Sequence, residues 1–263
     1  MGFLDKLFGS SKEEQTQHKP LLIVRAQFRN EKYFNKELQY FNKIINILKE
    51  DNKEYLKKHG KMDSFQFLNL AKKYILIIEI KYSKGDLIKE LQPIFKESIE
   101  NFSQAWTEDY QGYPLLLQMV SLGILLKSDE EEFKKITDFL HKATQSNIEE
   151  MWKPDNLIFF LIGAKDHQRK GDKPYEMLYE ITQLPKLEAE KAIKDYLEVW
   201  YSLHQADPWY NTHLRDSGYS GYWAWEVAAV VKVMKLNDSS FKDNPYYPYD
   251  MVHWNDNNVL LID

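Results

Sequence analysis

Chemistry in this 263-residue sequence can come from a carboxylate inside an apolar stretch, an acid and a histidine three positions apart, and a dense run of aromatic residues. From Tyr222 to Val231 every residue except Glu226 is apolar, so the spacing predicts a helix buried on most sides with one carboxyl group inside it. Such a group must be paired, hydrogen-bonded or protonated, because an isolated buried charge is costly. A functional Glu226 would be an acid, base or ligand with a raised pKa. A structural Glu226 would pair with Arg215, His213, a lysine or the hydroxyls of the tyrosine-rich tail, and this is the stronger reading, since no second carboxylate is tied to it by spacing. Asp250 and His253 could share a helical face around a metal, but two ligands fall short of a site, and the surrounding Asp, Pro and Tyr residues favour caps and turns. We expect no metal and no cofactor.

Several classes of activity are absent by motif. The sequence has no GxxxxGK[ST], GxGxxG or HExxH, and Gly218-Tyr219-Ser220-Gly221 lacks the spacing of a nucleophile elbow. Pro154-Asp155 supplies the first half of a PD…(D/E)xK nuclease pattern, yet no Asp/Glu-x-Lys follows it. Zero cysteines exclude disulfides, thiol catalysis and Cys-ligated metals. Only four of the 35 basic residues are arginine, which argues against direct reading of nucleic acid. No apolar run reaches the length of a bilayer span, and Asp5 interrupts the apolar start, so we expect a cytoplasmic protein without membrane contact.

The elements that must position these residues are helical. Apolar positions recur at helical spacing from Leu21 to about Asn52, then from a cap at Asp63 or Ser64 to a stop at Gly85, and again from Asp86 to Phe102, where Pro93 kinks the stretch or shifts its start. Pro114 opens a nearly all-apolar helix to Leu126, and Ser128 caps another whose first turn holds Asp129, Glu130, Glu131 and Glu132. Three more are expected over residues 155–166, 173–183 and 187–203. The prediction is an all-α, multi-helix fold of packed hairpins in two contiguous domains, 21–145 and 146–263, behind a flexible tail of residues 1–20.

Thirteen of the 38 aromatic residues fall between Trp200 and Trp254, the density of a core or of a binding hot spot. Within that region, Gly221-Tyr222-Trp223-Ala224-Trp225-Glu226-Val227-Ala228-Ala229, then Asp238-Ser239-Ser240, then Asp243-Asn244-Pro245-Tyr246-Tyr247-Pro248-Tyr249-Asp250 resembles the C-terminal domain of the PoNi immunity proteins. Arg25 and the Tyr33-Phe34 pair, followed by amphipathic helices, resemble the companion N-terminal domain. The resemblance implies a bacterial antidote that binds a cognate PoNe DNase toxin, delivered between cells by a secretion system, and blocks it without catalysis or cofactor. Its signature residues map onto Gly221, Tyr222, Trp223, Glu226, Tyr246, Tyr247, Pro248 and Asp250, in roles that are mainly structural. Trp225 departs mildly, standing where the family more often has Phe.

Charge is compatible with that partner. Residues 201–263 carry eight acids against four bases, and a nuclease surface that holds phosphates is basic. The contact candidates are Asp129, Glu130, Glu131, Glu132, Asp207, Asp216 and Asp250, although the acids of residues 129–132 also suit a helix N-terminus. The alternatives are a helical scaffold or regulatory binding module, and a metal-dependent hydrolase built on Glu226, His213, Asp250 and His253.

Overall fold

The computed structural model describes residues 23–105, 112–145, 154–164 and 170–255. Among these residues it forms ten α-helices and no strand. No helix among them is long and apolar enough to cross a membrane. The expected tail, residues 1–20, lies outside the described residues.

The chain enters as a non-helical strap, residues 23–30, bent at residues 26–28, and not as the start of the first helix. Arg25 and Ala26 donate their backbone N–H groups to the Ser83 carbonyl, at 2.9 and 3.2 Å, so these donors are satisfied across the fold and not by a helical turn. Helix α1 (Glu31–His59) begins where the Asn30 side chain accepts the Tyr33 N–H at 3.0 Å, and it runs past Asn52 until Gly60 turns the backbone left-handed. The helical spacing of Val24 and Phe28 therefore reflects packing of the strap: Val24 lies against the core and the Phe28 ring stacks on His213.

Helix α2 (Ser64–Lys84) follows the expected limits. The Gln66 side chain accepts the Asp63 N–H at 2.9 Å, and Gly85, at φ 105°, closes the far end. Pro93 and Pro114 both sit in first turns, of α3 (Gln92–Phe102) and α4 (Tyr113–Leu125), where a missing N–H costs nothing. Helix α5 (Glu130–Gln145) starts one residue later than expected, because Asp129 and not Ser128 accepts the Glu132 N–H, at 2.8 Å. Helix α6 (Asn156–Leu161) is shorter than expected: Gly163 turns left-handed, and the Ala164 N–H bonds back to Phe159 O at 3.0 Å. Helices α7 (Lys173–Thr182) and α8 (Lys186–Leu203) lie close to expectation, and α9 (Trp225–Met234) and α10 (Tyr249–His253) complete the chain.

α1 packs on α2 and α2 on α3, while α9 is surrounded by α4, α6, α7 and α10. α4 joins the two groups, and its Leu116, Met119, Val120 and Leu122 are wholly buried. One apolar core runs from Phe34 through α4 and α9 to Val252, so both halves of the chain contribute to it. Each fully buried aliphatic side chain there contributes about 2 kcal/mol.

Candidate functional site

Residues 218–224 form no helix, and their polar groups are claimed by the first two helices. The Gly218 N–H donates to Glu37 Oε2 at 3.1 Å and the Tyr219 N–H to the Tyr33 hydroxyl at 2.9 Å. The Ser220 hydroxyl donates to Glu79 Oε2 at 2.7 Å, the Ser83 hydroxyl to the Ser220 carbonyl, and the Trp223 indole to Ser83 Oγ at 2.8 Å. Gly221 stands inside this weave at φ 109°, and a Cβ on it would fall 2.2 Å from Ser83 Oγ and 2.3 Å from Trp223 Nε1. The Tyr222 hydroxyl meets the His213 N–H at 3.0 Å and His213 Nδ1 at 2.8 Å. Ala224 donates its N–H to Tyr246 O at 2.9 Å, so α9 starts at Trp225 and not at Tyr222.

Behind this segment lies a cleft of about 510 Å³, lined among others by Glu79, Gln118, Trp200, Trp209, Trp223 and Glu226. Glu226 is 8% exposed. It accepts the Trp200 indole N–H at 2.6 Å, and His204, whose Nδ1 lies 2.7 Å from Trp200 O, is its basic neighbour. Among the described residues, no hydrogen bond or ion pair joins Glu226 to Arg215, His213, a lysine or the tail hydroxyls. Those groups are turned elsewhere: His213 to Tyr222, and Tyr247 to Asp238. A second carboxyl, Glu79, shares the cleft and takes hydrogen bonds from Ser220, Gln118 and the Trp225 indole. It stands in Ile77-Ile78-Glu79-Ile80, the same apolar-flanked pattern that singled out Glu226.

Burial pushes both carboxyls above the ordinary glutamate value of 4.5. For Glu226 the opposing pull comes from His204 and the Trp200 indole, while Asp207 adds to the rise. Tyr113, Tyr175 and Tyr196 also feel its charge. A carboxyl whose folded-state pKa is raised holds its proton better when folded, so the wild-type chain loses stability as pH climbs from the ordinary value through the raised one. Glu226→Gln keeps an acceptor for Trp200 without the charge. It is expected to melt above wild type at about pH 8 and alongside it below the ordinary carboxylate range, as followed by circular dichroism. A variant melting lower than wild type throughout contradicts this account.

Asp250 and His253 engage different partners. Asp250 Oδ2 accepts Arg25 Nε at 2.7 Å, while His253 Nε2 lies 2.7 Å from Asp238 Oδ2, which also accepts the Tyr247 hydroxyl at 2.8 Å. Among the described residues no three His, Asp or Glu side chains gather as a metal would require. Pro248 precedes α10 directly, and the Tyr246 ring stacks on Tyr201 with centroids 5.3 Å apart.

The acidic contact candidates occupy separate elements. Asp129, Glu130 and Glu131 are exposed at the start of α5, where Glu132 pairs with Lys96 of α3 at 3.0 Å. Asp207 is half-buried in the loop after α8, close to His204 and Glu226, and Asp216 is exposed further along that loop. Asp250 is engaged by Arg25.

Two family profiles match this chain in order. The one described as "PoNe immunity protein (PoNi), N-terminal" spans residues 22–138, and "PoNe immunity proteins (PoNi), C-terminal" spans residues 153–251. No curated protein matches the chain. Among solved structures, the crystal structure of protein PA2201 from Pseudomonas aeruginosa is similar in fold, with a TM-score of 0.61 and 17% identity, covering 88% of this chain and 90% of that one.

Proposed function

Because this chain belongs to the PoNi family of PoNe immunity proteins, we propose that it neutralises a cognate PoNe-type DNase toxin by direct, stoichiometric binding, covering the toxin's basic DNA-binding surface without catalysing a reaction. The observation that carries the reading is the ordered match of both family halves over residues 22–138 and 153–251. The charge balance supports it: a net −5 chain is drawn to a basic nuclease, whereas a nucleic acid competes poorly for it. The reading places the protein in the cytoplasm, where a DNase toxin would reach DNA. Co-expression with the product of the adjacent gene tests it. Survival, intact chromosomal DNA and a co-purifying complex support the reading; a harmless neighbour or no complex overturns it.

The exposed acids at the start of α5 serve this reading by steering and not by anchoring. Reversing Glu130 and Glu131 to lysine is expected to slow association about tenfold at low salt and to flatten its salt dependence, with little change in the dissociation rate. Stopped-flow mixing over a salt series reads both, and an unchanged association rate and salt slope remove this run from the interface.

A further inference from the structure

The lining of the cleft between α2, α4 and the loop after α8 combines aromatic rings with carboxyls. Trp200 and Trp209 stack with centroids 5.5 Å apart and planes 19° from parallel, and Tyr222 and Trp223 line the same space. Two carboxyls, Glu79 and Glu226, open into it. Glu226 is nine-tenths buried, and its one hydrogen bond from another residue among those described is the Trp200 indole. An apolar occupant would seal two carboxylates from water without replacing their solvation, and an anionic one would be repelled. A cation gains from both features, since aromatic faces and carboxylates attract it together. A guanidinium suits the cleft better than an ammonium, because it is planar, stacks on indole and reaches a carboxylate with two N–H groups at once.

The basic groups near the cleft leave this balance intact. Lys73 lies over the Phe41 ring at 5.7 Å, Lys72 is exposed at the rim, and His204 Nδ1 is held at Trp200 O. Asp207, though not in the cleft lining, adds the charge of a third acid near Glu226. A carboxyl that burial holds above its ordinary pKa works against folding at neutral pH, and a cation seated beside Glu226 would relieve that cost.

Resting on the immunity reading above, we infer that this cleft, lined by aromatic rings and by Glu79 and Glu226, is the socket for an arginine side chain projecting from the toxin. The immunity protein thereby engages the basic surface of the nuclease through a central anchor, while its exposed acids act around it.

The test has two arms, both on the full-length chain. Calorimetry against the adjacent-gene toxin, catalytically disabled for safe handling, is expected to show about 30-fold weaker binding for Trp209→Ala and for Glu226→Gln, each with melting behaviour that shows the variant folded. Glu226→Gln keeps shape and hydrogen bonding, so its loss would report charge. In the second arm, acetyl-arginine amide is titrated while the tryptophan indole N–H resonances are followed by NMR, with the neutral isostere acetyl-citrulline amide as control. Shifts with arginine alone support the socket; equal shifts with both, or none with either, overturn it. A wild-type chain that forms no complex overturns the immunity reading and the socket with it. Wild-type affinity in both variants overturns the socket alone.

Discussion

Gly221→Ala is expected to lower the unfolding free energy by about 4 kcal/mol, enough to leave much of the protein unfolded at 37 °C. The size of the effect comes from two independent penalties at one position. The backbone holds φ 109°, which L side chains rarely adopt. The added Cβ would also lie 2.2 Å from Ser83 Oγ and 2.3 Å from Trp223 Nε1, and both atoms are fixed by hydrogen bonds, Trp223 to Ser83 and Ser83 to the Ser220 carbonyl. Neither can retreat without breaking the seam between α2 and the entry to α9. Urea titration followed by tryptophan fluorescence measures the loss. By contrast, Gly218→Ala meets no neighbouring atom within 4 Å and carries the backbone penalty alone, so it should cost about 1–2 kcal/mol. Similar losses in the two variants would show that crowding at Ser83 contributes nothing.

Arg25→Ala is expected to cost about 3 kcal/mol, more than any other change in the strap. The Arg25 side chain, 18% exposed, donates to the carbonyls of Tyr82 and Asp86, both at 3.0 Å, and to Asp250 at 2.7 Å, with its guanidinium 4.6 Å from the Tyr82 ring centre. It ties the strap, the C-terminal end of α2 and α10 together. Asp250→Ala removes only one of these contacts, and the Asp250 side chain is 54% exposed, so about 1 kcal/mol is expected there. Arg25→Lys should rescue little, because a single ammonium cannot span three acceptors. Equal losses for Arg25→Ala and Asp250→Ala in urea would mean that the ion pair, and not the carbonyl contacts, fastens the strap.

Local signals made most of the helix limits legible. Gln66 and Gly85 around α2 and the prolines in the first turns of α3 and α4 act within a few residues, and their chemistry is readable without the fold. The strap was not legible, since Val24 and Phe28 keep helical spacing and only Ser83, 57 residues beyond Ala26, shows why the strap is not helical. Glu226 stood out as a carboxyl among apolar residues, and Glu79 carries the same mark between Ile78 and Ile80. What no spacing could supply is the partner of each. Trp200 lies 26 residues before Glu226, Ser220 lies 141 after Glu79, and Asp250 lies 225 after Arg25. These pairs exist only because α4 and α9 bring the halves of the chain onto one core.

The most direct test of the immunity reading is a titration of nuclease activity. The purified product of the adjacent gene, which the immunity reading expects to be the toxin, is incubated with plasmid DNA and mixed with increasing amounts of the full-length chain. The account predicts that cleavage falls linearly and stops at one equivalent, with no DNA bound by the chain itself. Cleavage that persists at excess protein, or protection that requires the chain to coat the DNA, would contradict it.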